Sequence, residues 1–571
     1  MNDTIEILFG LLGGLAIFIF GMNMMSECLQ KAAGEKMKSI LAMLTKNPIM
    51  GVLAGTLTTA VLQSSSATTV MTIGFVSAGL MTLPQAISII LGANIGTTMT
   101  AQLLAFKISD YIFVIIFAGF ILSFVTRSEK LKNIGQTIFA FGLLFLGIET
   151  MGDVMKPLAS SPVFTDLIGR VADIPVLGVA VGTMMTLVVQ SSSATIAVLQ
   201  NFASQAGPDG VTSIIGLTGA IPILLGDNIG TTITALLASI GQSRDAKRTA
   251  LAHCTFNISG CLLFIWFVKP FAAIIQMISP KGPEFEVISR QIANAHTTFN
   301  VVMTVIWIPL IWLMVKIVMK IIPDGKQGVV TDASQPLYLD EKLINQPAAA
   351  LQMVAREVLH CSEIVGGLLS DAAGMVGTEE RRRVEAVAEK AAVVQRLDDK
   401  ITEYLADLFS AGVLTEEQAT QTAGLMYVLS DVNRIGSLCG DLSHTIRDKV
   451  ERRYKYSEQA VRDMEHSLRV IETMYLQILD GLKGSDPDCV EPVCRDRGMV
   501  LDLDINMRKA HMERVSKGLC EAHLTAPFNQ VLHCIDRMGN SCINIAEAVH
   551  DQVRLNYFIR EDETEKLAAA K

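Results

Sequence analysis

Long apolar runs with few charged residues follow one another through the first 320 residues, and this feature limits the fold more than any other. Half of the 571 residues are hydrophobic, and the mean hydropathy is +0.42. A helix needs about 20 apolar residues to cross a bilayer. We therefore predict an all-α, polytopic membrane protein over this part of the chain. The candidate apolar segments are 6–27, 48–79, 84–106, 111–126, 134–152, 175–203, 213–240, 249–268 and 294–319.

The composition changes after Pro323, where charged stretches such as EERRRVEAVAEK replace the apolar runs. The sequence PDGKQGVVTDASQP at this boundary contains turn-forming Pro, Gly and Asp residues and reads as a connection between domains. We predict a membrane transport domain over 1–326, a linker over 327–336 and a soluble helical domain over 337–571. The ten cysteines are scattered, which favours reduced thiols over disulfides or a metal site.

Lys and Arg residues orient the membrane segments because cytoplasmic loops are enriched in them. Basic residues lie at 31–46, 127–132, 244–248 and 316–326, so we expect these regions to be cytoplasmic. Counting crossings between them leaves 48–79 starting and ending on the cytoplasmic side. By the same count 175–203 starts and ends outside. Segment 48–79 must therefore be a re-entrant hairpin or a pair of short spans. We predict two re-entrant hairpins that enter the membrane from opposite faces.

Three motifs recur in the same order in the two halves of the membrane region. FGMNMMSE at 20–27 resembles LGIETMGD at 146–153, QSSSAT recurs at 63 and 190, and LGANIGTT at 91 recurs as LGDNIGTT at 225. An odd number of predicted spans separates equivalent points, so the halves have opposite orientations. Such inverted-topology repeats are typical of secondary transporters. We place the repeats at about 6–126 and 134–268, with an additional span at 294–319.

The QSSS motifs put polar side chains near the middle of each predicted hairpin. Backbone without helical hydrogen bonds is tolerated at membrane depth only when it is buried in protein or lines a wet cavity. A helix that begins there offers free N–H groups and a partial positive charge, which suit an oxyanion. The alternative is that these residues only join helices by hydrogen bonds. The candidate binding residues are Gln63, Ser64, Ser65, Ser66, Gln190, Ser191, Ser192 and Ser193.

The NIGTT motifs supply further oxygen atoms next to glycines that permit close helix approach or local unwinding. Amide, hydroxyl and freed backbone oxygens are ligands for a monovalent cation such as sodium. The alternative is a small-residue packing motif. The candidate residues are Asn94, Thr97, Thr98, Asn228, Thr231 and Thr232.

Two carboxylates lie within the predicted spans. Asp227 stands where the first repeat has Ala93, and Glu149 stands where it has Asn23. Intramembrane carboxylates are functional candidates, so either is a candidate cation or proton site.

A smaller repeat, AHCTFN and AHTTFN, contains His253 and His296. We expect each histidine to start a helix. Structural hydrogen bonding to neighbouring helix ends is favoured over a ligand or proton-relay role.

The paired QSSS, NIGTT and AH-x-T-F-N motifs resemble the type II sodium–phosphate cotransporter family in its bacterial form, over nearly all of 1–320. The resemblance implies sodium-coupled transport of inorganic phosphate, with the QSSS tips at the substrate and sodium sites and the NIGTT residues beside them. Asp227 departs from the small residue expected at its position.

The remaining two fifths of the chain has a helical pattern and contains a weak repeat, VNRIGSLCGD at 432 and IDRMGNSCIN at 535. Two similar helical bundles in tandem would explain it, and the pattern resembles the PhoU family, whose regulatory domains follow such transporters. In that family an acidic residue that contributes to metal clusters usually follows the RIG segment, where this chain has Ser437 and Asn540. A solvated acidic helix face is therefore favoured over a metal site. The remaining acidic candidates are Asp398, Asp399, Asp431, Asp502, Asp504 and Asp536.

The sequence thus predicts a sodium–phosphate symporter of the cytoplasmic (inner) membrane, with its C-terminal domain in the cytoplasm. No phosphate-binding loop or hydrolase motif is present, so we expect neither an enzyme with catalytic residues nor an ATP-driven pump. The expected partners are phosphate, sodium and the lipid membrane, with a homodimer as one mode of assembly. No cofactor, metal centre or nucleic-acid partner is expected. Export, another small anion, or a membrane phosphate sensor remain as alternatives.

Overall fold

The computed structural model is helical and describes residues 3–42, 47–106, 108–126, 128–159, 174–207, 209–324, 334–411, 414–483 and 489–550. These residues contain no β-strand. The chain divides into two compact units, Met1–Lys326 and Gln327–Lys571. The predicted linker 327–336 lies largely outside the described residues, as does the C-terminal segment 551–571.

The first unit contains a sequence of long and short helices. Their bounds are α1 Asp3–Ala42, α2 Pro48–Leu62, α3 Ser65–Ser77, α4 Leu83–Leu104, α5 Ile112–Val125, α6 Glu129–Ala159, α7 Pro175–Val189, α8 Ser192–Ala203, α9 Gly216–Gly230, α10 Thr232–Ala238, α11 Arg244–Phe264, α12 Val268–Ile278, α13 Glu284–Trp307 and α14 Ile311–Ile321.

Several of these helices are long and apolar enough to cross a membrane. Within the described part of the chain they are Ile7–Lys31, Leu83–Leu104, Leu131–Met155, Gly216–Ala238 and Arg244–Ile278. The predicted span 294–319 is not one continuous helix, because α13 and α14 meet at an angle of 85° across a short break. Pro309 lies in the break and cannot donate the backbone hydrogen bond that would continue the helix. The predicted span 111–126 is the 14-residue helix α5, which is shorter than a full crossing.

Segments 48–79 and 175–203 are each broken into two helices at the QSSS motif, as the sequence predicted. Helix α2 ends at Leu62 and α3 begins at Ser65, whereas α7 ends at Val189 and α8 begins at Ser192. The re-entrant course of these hairpins through a membrane remains a prediction.

The first helices of the two halves, α1 and α6, pack against each other as an antiparallel pair. A Cβ added to Gly21 would lie 2.9 Å from the Ala140 carbonyl oxygen, and one added to Gly147 would lie 2.6 Å from that of Gly14. As the residue number of the contact increases along α1, the residue number of its partner decreases along α6, so the two helices run antiparallel. Gly21 corresponds to Gly147 in the repeat, and Gly14 corresponds to Ala140, so the contact is self-complementary in the way of a two-fold interface.

The NIGTT glycines serve close helix approach. A Cβ on Gly92 in α4 would lie 2.0 Å from the Val52 carbonyl oxygen in α2, and one on Gly226 in α9 would lie 2.1 Å from that of Val179 in α7. Helix α4 runs unbroken through its motif, so unwinding there is not observed. In the second half a single residue, Thr231, separates α9 from α10.

The second unit contains two successive groups of three helices. Their bounds are α15 Pro347–Met375, α16 Arg381–Ser410, α17 Glu416–Glu451, α18 Glu458–Leu482, α19 Val490–Ser516 and α20 Thr525–His550. Residues of every helix contribute to an apolar core, Val365, Leu397, Ile435, Ile471 and Met538 among them. The relationship to PhoU domains remains a prediction.

The acidic candidates of this unit can be compared, by their positions in the structure, with the clusters that hold metal ions. No group of three His, Cys, Asp or Glu residues that could hold a metal ion occurs within the residues described. Asp536 is instead paired with the buried Arg497, whose Nε also donates to Asn540 Oδ1 at 3.2 Å. An arginine therefore neutralises one carboxylate of the predicted acidic face.

Candidate functional site

The two QSSS tips have the same backbone conformation. Gln63 has φ +52° and ψ +23°, and Gln190 has φ +55° and ψ +24°, so both lie in the left-handed region that non-glycine residues rarely adopt. The next residue caps the following helix: Ser64 Oγ accepts from Ala67 N at 3.1 Å, and Ser191 Oγ accepts from Ala194 N at 3.3 Å. Each tip thus turns the chain sharply and presents the N-terminus of a new helix, whose first N–H groups lack intrahelical partners.

The side chains of the two tip glutamines have different surroundings. Gln63 is 7% exposed, its Nε2 donates to the Ala60 carbonyl oxygen at 2.5 Å, and its Oε1 accepts from Thr100 Oγ1 at 2.8 Å. Gln190 is exposed, and its side chain has no hydrogen-bond partner among the described residues, nor does Thr234, the counterpart of Thr100. The first tip is therefore closed by its own protein partners, whereas the second is open.

The serine hydroxyls lie at the boundary between protein and solvent. Ser65 and Ser193 are buried, and the other tip serines are partly exposed, namely Ser64, Ser66, Ser191 and Ser192. Partial exposure leaves these hydroxyls accessible while the residues behind them stay buried.

A chain of threonine hydroxyls runs behind each tip. In the first half Thr59 Oγ1 lies 2.8 Å from Thr68 Oγ1, which lies 3.2 Å from the Ser64 carbonyl oxygen. In the second half Thr186 and Thr195 repeat this arrangement at 3.1 Å, and Thr195 Oγ1 lies 3.2 Å from the Ser191 carbonyl oxygen. These four threonines are buried and were not identified from the sequence.

Each NIGTT asparagine faces a buried histidine. Asn94 Nδ2 donates to Ile90 O at 2.8 Å, which leaves Asn94 Oδ1 3.4 Å from His253 Nε2. The second half repeats this geometry, with Asn228 Oδ1 3.2 Å from His296 Nε2. The predicted position of these histidines at helix starts is wrong, because His253 lies within α11 and His296 within α13. Their partners are motif side chains rather than helix ends.

The NIGTT threonines are buried, and three of them bond to backbone carbonyl oxygens three or four residues earlier in the chain. Thr98, Thr231 and Thr232 donate to the carbonyl oxygens of Ile95, Asp227 and Ile229 at 2.8, 3.0 and 2.7 Å. Thr97 is 7% exposed. These hydroxyl oxygens keep lone pairs with which to bind a cation.

The structure separates the two intramembrane carboxylate candidates. Asp227 is fully buried and accepts from Thr186 Oγ1 at 2.6 Å through Oδ1. Glu149 is only partly buried on α6, and no partner for its carboxylate occurs in the described part of the chain. The surroundings of Asp227 are those of a buried site, whereas Glu149 is reached by solvent in this structure.

Gln200 is a site-supporting residue that sequence reasoning missed. Its Nε2 donates to the Ala101 carbonyl oxygen at 3.1 Å and to that of Ser289 at 3.0 Å. It therefore joins α8, the helix behind the second tip, to α4 and α13. The available signal was a glutamine inside an apolar helix.

Comparison with known proteins identifies the family of the chain. The family model described as Na+/Pi-cotransporter matches residues 17–153 and again residues 150–282. A Bacillus subtilis protein named Uncharacterized protein YqeW is 33% identical over 309 residues, which cover 54% of this chain and 96% of that protein. The chain belongs to the Na+/Pi-cotransporter family. The resemblance inferred from the motifs is confirmed.

Other relatives of this family member differ in how much of the chain they match. The putative inorganic phosphate export protein YjbB of Salmonella typhimurium is 24% identical over 555 residues, covering 95% of this chain and 97% of that protein. The human sodium-dependent phosphate transport protein 2B is 41% identical over 102 residues, which are 17% of this chain and 14% of that protein. No solved structure matches this Na+/Pi-cotransporter family member.

Family membership and the apolar helices together make this a multi-pass membrane protein among phosphate transporters rather than enzymes. The family model matches the first unit twice in succession, over residues 17–153 and 150–282, which agrees with an internal duplication.

Proposed function

We propose that the protein is a sodium-coupled symporter of inorganic phosphate in the cytoplasmic membrane. The observation that carries this proposal is the pair of QSSS tips, where Gln63 and Gln190 each end one helix in the left-handed region and a serine-capped helix begins immediately afterwards. Helix N-termini bind phosphate through backbone N–H groups and the helix dipole. The tips contain no lysine or arginine, so dipoles, hydroxyls and a bound cation would hold the anion.

Oxygen-bearing side chains of the QSSS and NIGTT regions support sodium coupling. Threonine hydroxyls, asparagine amides and the buried Asp227 carboxylate offer hard oxygen ligands, and a cation beside the anion lowers the cost of burying its charge. The similarity to the human protein named as sodium-dependent supports this choice.

Alternating access would use the two halves as inverted-topology repeats. The antiparallel packing of the repeat-equivalent helices α1 and α6 supports opposite orientations of the halves. In such transporters one repeat rocks or opens against the other around a fixed site. The convergence of both tips on that site is part of the proposal.

The helical second unit would regulate transport from the cytoplasm. The Salmonella relative aligns with 95% of this chain, so the sequence similarity extends over both units. Truncation after residue 326 should leave sodium-driven uptake in a folded, inserted protein, with altered response to internal phosphate. Complete loss of uptake in such a protein would make the second unit part of the transport machinery.

Phosphate export is the second candidate, because the relative that matches both units is named as a putative phosphate exporter. Full-length protein in proteoliposomes tests both directions. We expect an inward sodium gradient, but not an equal potassium gradient, to drive accumulation of radioactive phosphate. Efflux from phosphate-loaded vesicles without sodium-driven accumulation would favour export, and saturable binding without either flux would contradict transport.

A further inference from the structure

Position 227 breaks an otherwise close match between the two halves. Behind each tip, two threonines link the helix before the break to the carbonyl oxygen of the capping serine, with hydroxyl distances of 2.8 Å in the first half and 3.1 Å in the second. The residue that faces this pair in the second half is Asp227, and its counterpart in the first half is Ala93. The carboxylate is therefore an addition to a duplicated frame.

Asp227 has surroundings that leave half of its carboxylate unused. The side chain is 0% exposed, its Oδ1 accepts from Thr186 Oγ1 at 2.6 Å, and its Oδ2 has no hydrogen-bond partner in the described part of the structure. No ion pair to Asp227 occurs among the same residues. An ionised carboxylate buried without a partner is strongly unfavourable, so it requires a bound cation or a proton.

We infer that Asp227 and Thr186 form a binding site for one small monovalent cation, sodium or a proton, which the first half of the molecule cannot hold. This inference rests on the proposed cation-coupled phosphate transport and names the residue that couples the two ions. The first half keeps the equivalent hydroxyl, Thr59, but Ala93 provides no negative charge there.

The hydroxyl chain gives the cation a physical connection to the second tip. Thr186 has one hydroxyl proton, and with the site empty it donates that proton to Asp227. A cation on the carboxylate competes for this contact, which frees the Thr186 proton to turn towards Thr195 Oγ1, 3.1 Å away. Thr195 in turn lies 3.2 Å from the carbonyl oxygen of Ser191, the cap of α8. Occupancy of the cation site therefore alters the hydrogen bonds of the helix that would hold the anion.

The test compares Asp227→Ala, which installs the first-half residue, with Asp227→Asn and Thr186→Val in full-length protein in proteoliposomes. The matched control is Thr249→Val, which removes a buried hydroxyl that bonds within its own helix α11, to the Asp245 carbonyl oxygen at 2.8 Å. The measurement is the charge moved per phosphate, taken from reversal potentials under a sodium gradient at equal pH and under a pH gradient without sodium. If Asp227 variants change the charge per phosphate under the sodium gradient, the bound cation is sodium. If they change it under the pH gradient, the bound cation is a proton.

We expect both Asp227 variants to move one positive charge fewer per phosphate than wild type. Thr186→Val should weaken the activating cation constant by about tenfold, whereas Thr249→Val should leave that constant and the charge per phosphate unchanged. Unchanged charge per phosphate in both arms for Asp227→Ala would overturn the inference.

A binding measurement keeps the test decisive where a variant does not transport. The three tryptophans, Trp266, Trp307 and Trp312, all lie in the first unit, so their fluorescence reports its thermal unfolding in purified protein. Loss of cation-dependent stabilisation in folded Asp227→Ala supports the site, and stabilisation equal to wild type overturns it. Wild-type protein that shows this stabilisation without any phosphate flux would contradict the proposed function and leave the cation site standing.

Discussion

At the residue scale, the tip glutamines show how one backbone geometry can serve two different roles. Both residues lie in the left-handed region, which costs an ordinary residue roughly 1–2 kcal/mol and is usually given to glycine. Keeping a glutamine there indicates that its side chain is needed at the tip. Gln63 uses it to bond Thr100 and Ala60, whereas Gln190 is exposed.

We therefore expect Gln63→Ala and Gln190→Ala to fail in different ways. Gln63→Ala leaves the buried Thr100 hydroxyl without its acceptor, which costs about 1–3 kcal/mol, so the thermal midpoint by tryptophan fluorescence should fall. Gln190→Ala should keep the midpoint and raise the phosphate or sodium constant by roughly 5- to 150-fold, since about 1.4 kcal/mol is a factor of ten.

Thr100→Val is the control, because it removes the other half of the same contact and should reproduce the stability loss of Gln63→Ala. Equal losses of midpoint for the two glutamine variants would show that the tips are equivalent in solution.

A second residue-scale prediction concerns Asp398 in the second unit. Burial, with the charge of neighbouring Asp399, raises its pKa from 3.8 to about 6, against an opposing hydrogen bond from Asn433 Nδ2 at 2.7 Å. The folded state therefore binds more protons than the unfolded state between these values. Stability contributed by Asp398 is present below pH 4 and is lost as the pH rises through about 6.

Asp398→Asn should accordingly stabilise helix α16 at pH 8, with a gain that shrinks as the pH approaches 4. Hydrogen exchange of α16 peptides across a urea series, compared with wild type at each pH, measures this difference. The exposed Asp399→Asn should show a smaller gain. A constant difference between pH 4 and pH 8 would contradict the assignment to Asp398.

At the scale of elements, the α2–α4 and α7–α9 pairs depend on glycine. In Gly92→Ala and Gly226→Ala the new Cβ would lie 2.0 and 2.1 Å from a backbone carbonyl oxygen of the neighbouring helix. These distances are too short for a van der Waals contact, so the helices must separate. Overpacking of this kind costs typically 1–3 kcal/mol. We expect a lower thermal midpoint and less monodisperse protein in size-exclusion chromatography for both variants.

Gly13→Ala in α1 is the matched control, because a Cβ there meets nothing within 4 Å. It should fold as wild type does, with a change of at most about 1 kcal/mol from helix propensity. If Gly92→Ala were as well tolerated as Gly13→Ala, the close approach of α2 and α4 would be wrong.

At the scale of the whole molecule, opposite orientation of the halves predicts where the two hairpins begin. Asn47 caps α2, and Ile174 precedes α7. Single cysteines at these positions should react with an impermeant thiol reagent from the cytoplasmic and the external side respectively. Cys494 and Cys520, which are not buried, are first replaced by serine. Labelling of both positions from the same side would rule out inverted repeats.

The helix breaks could be predicted from the sequence because their signal, Gln and Ser inside an apolar run, is local. Sequence reasoning failed where the cause is distant along the chain. The bond between Gln63 and Thr100 joins residues 37 apart, and His253 reaches Asn94 across 159. The 85° bend at Pro309 had a local signal, since proline cannot continue a helix, but the apolar run around it was read as one span. The difference between the closed and open tips had no signal at all in nearly identical motifs.

The glycine contacts between α2 and α4 hold these two helices of the first half in a fixed relative position. Helices whose backbones touch cannot slide past each other, so each clamped pair acts as a stiff frame. The 13-residue helix α3 lies between two residues in the left-handed region, Gln63 and Gly79. Because Thr68 of α3 bonds Thr59 of α2, any shift of this short helix has to break that hydroxyl contact first.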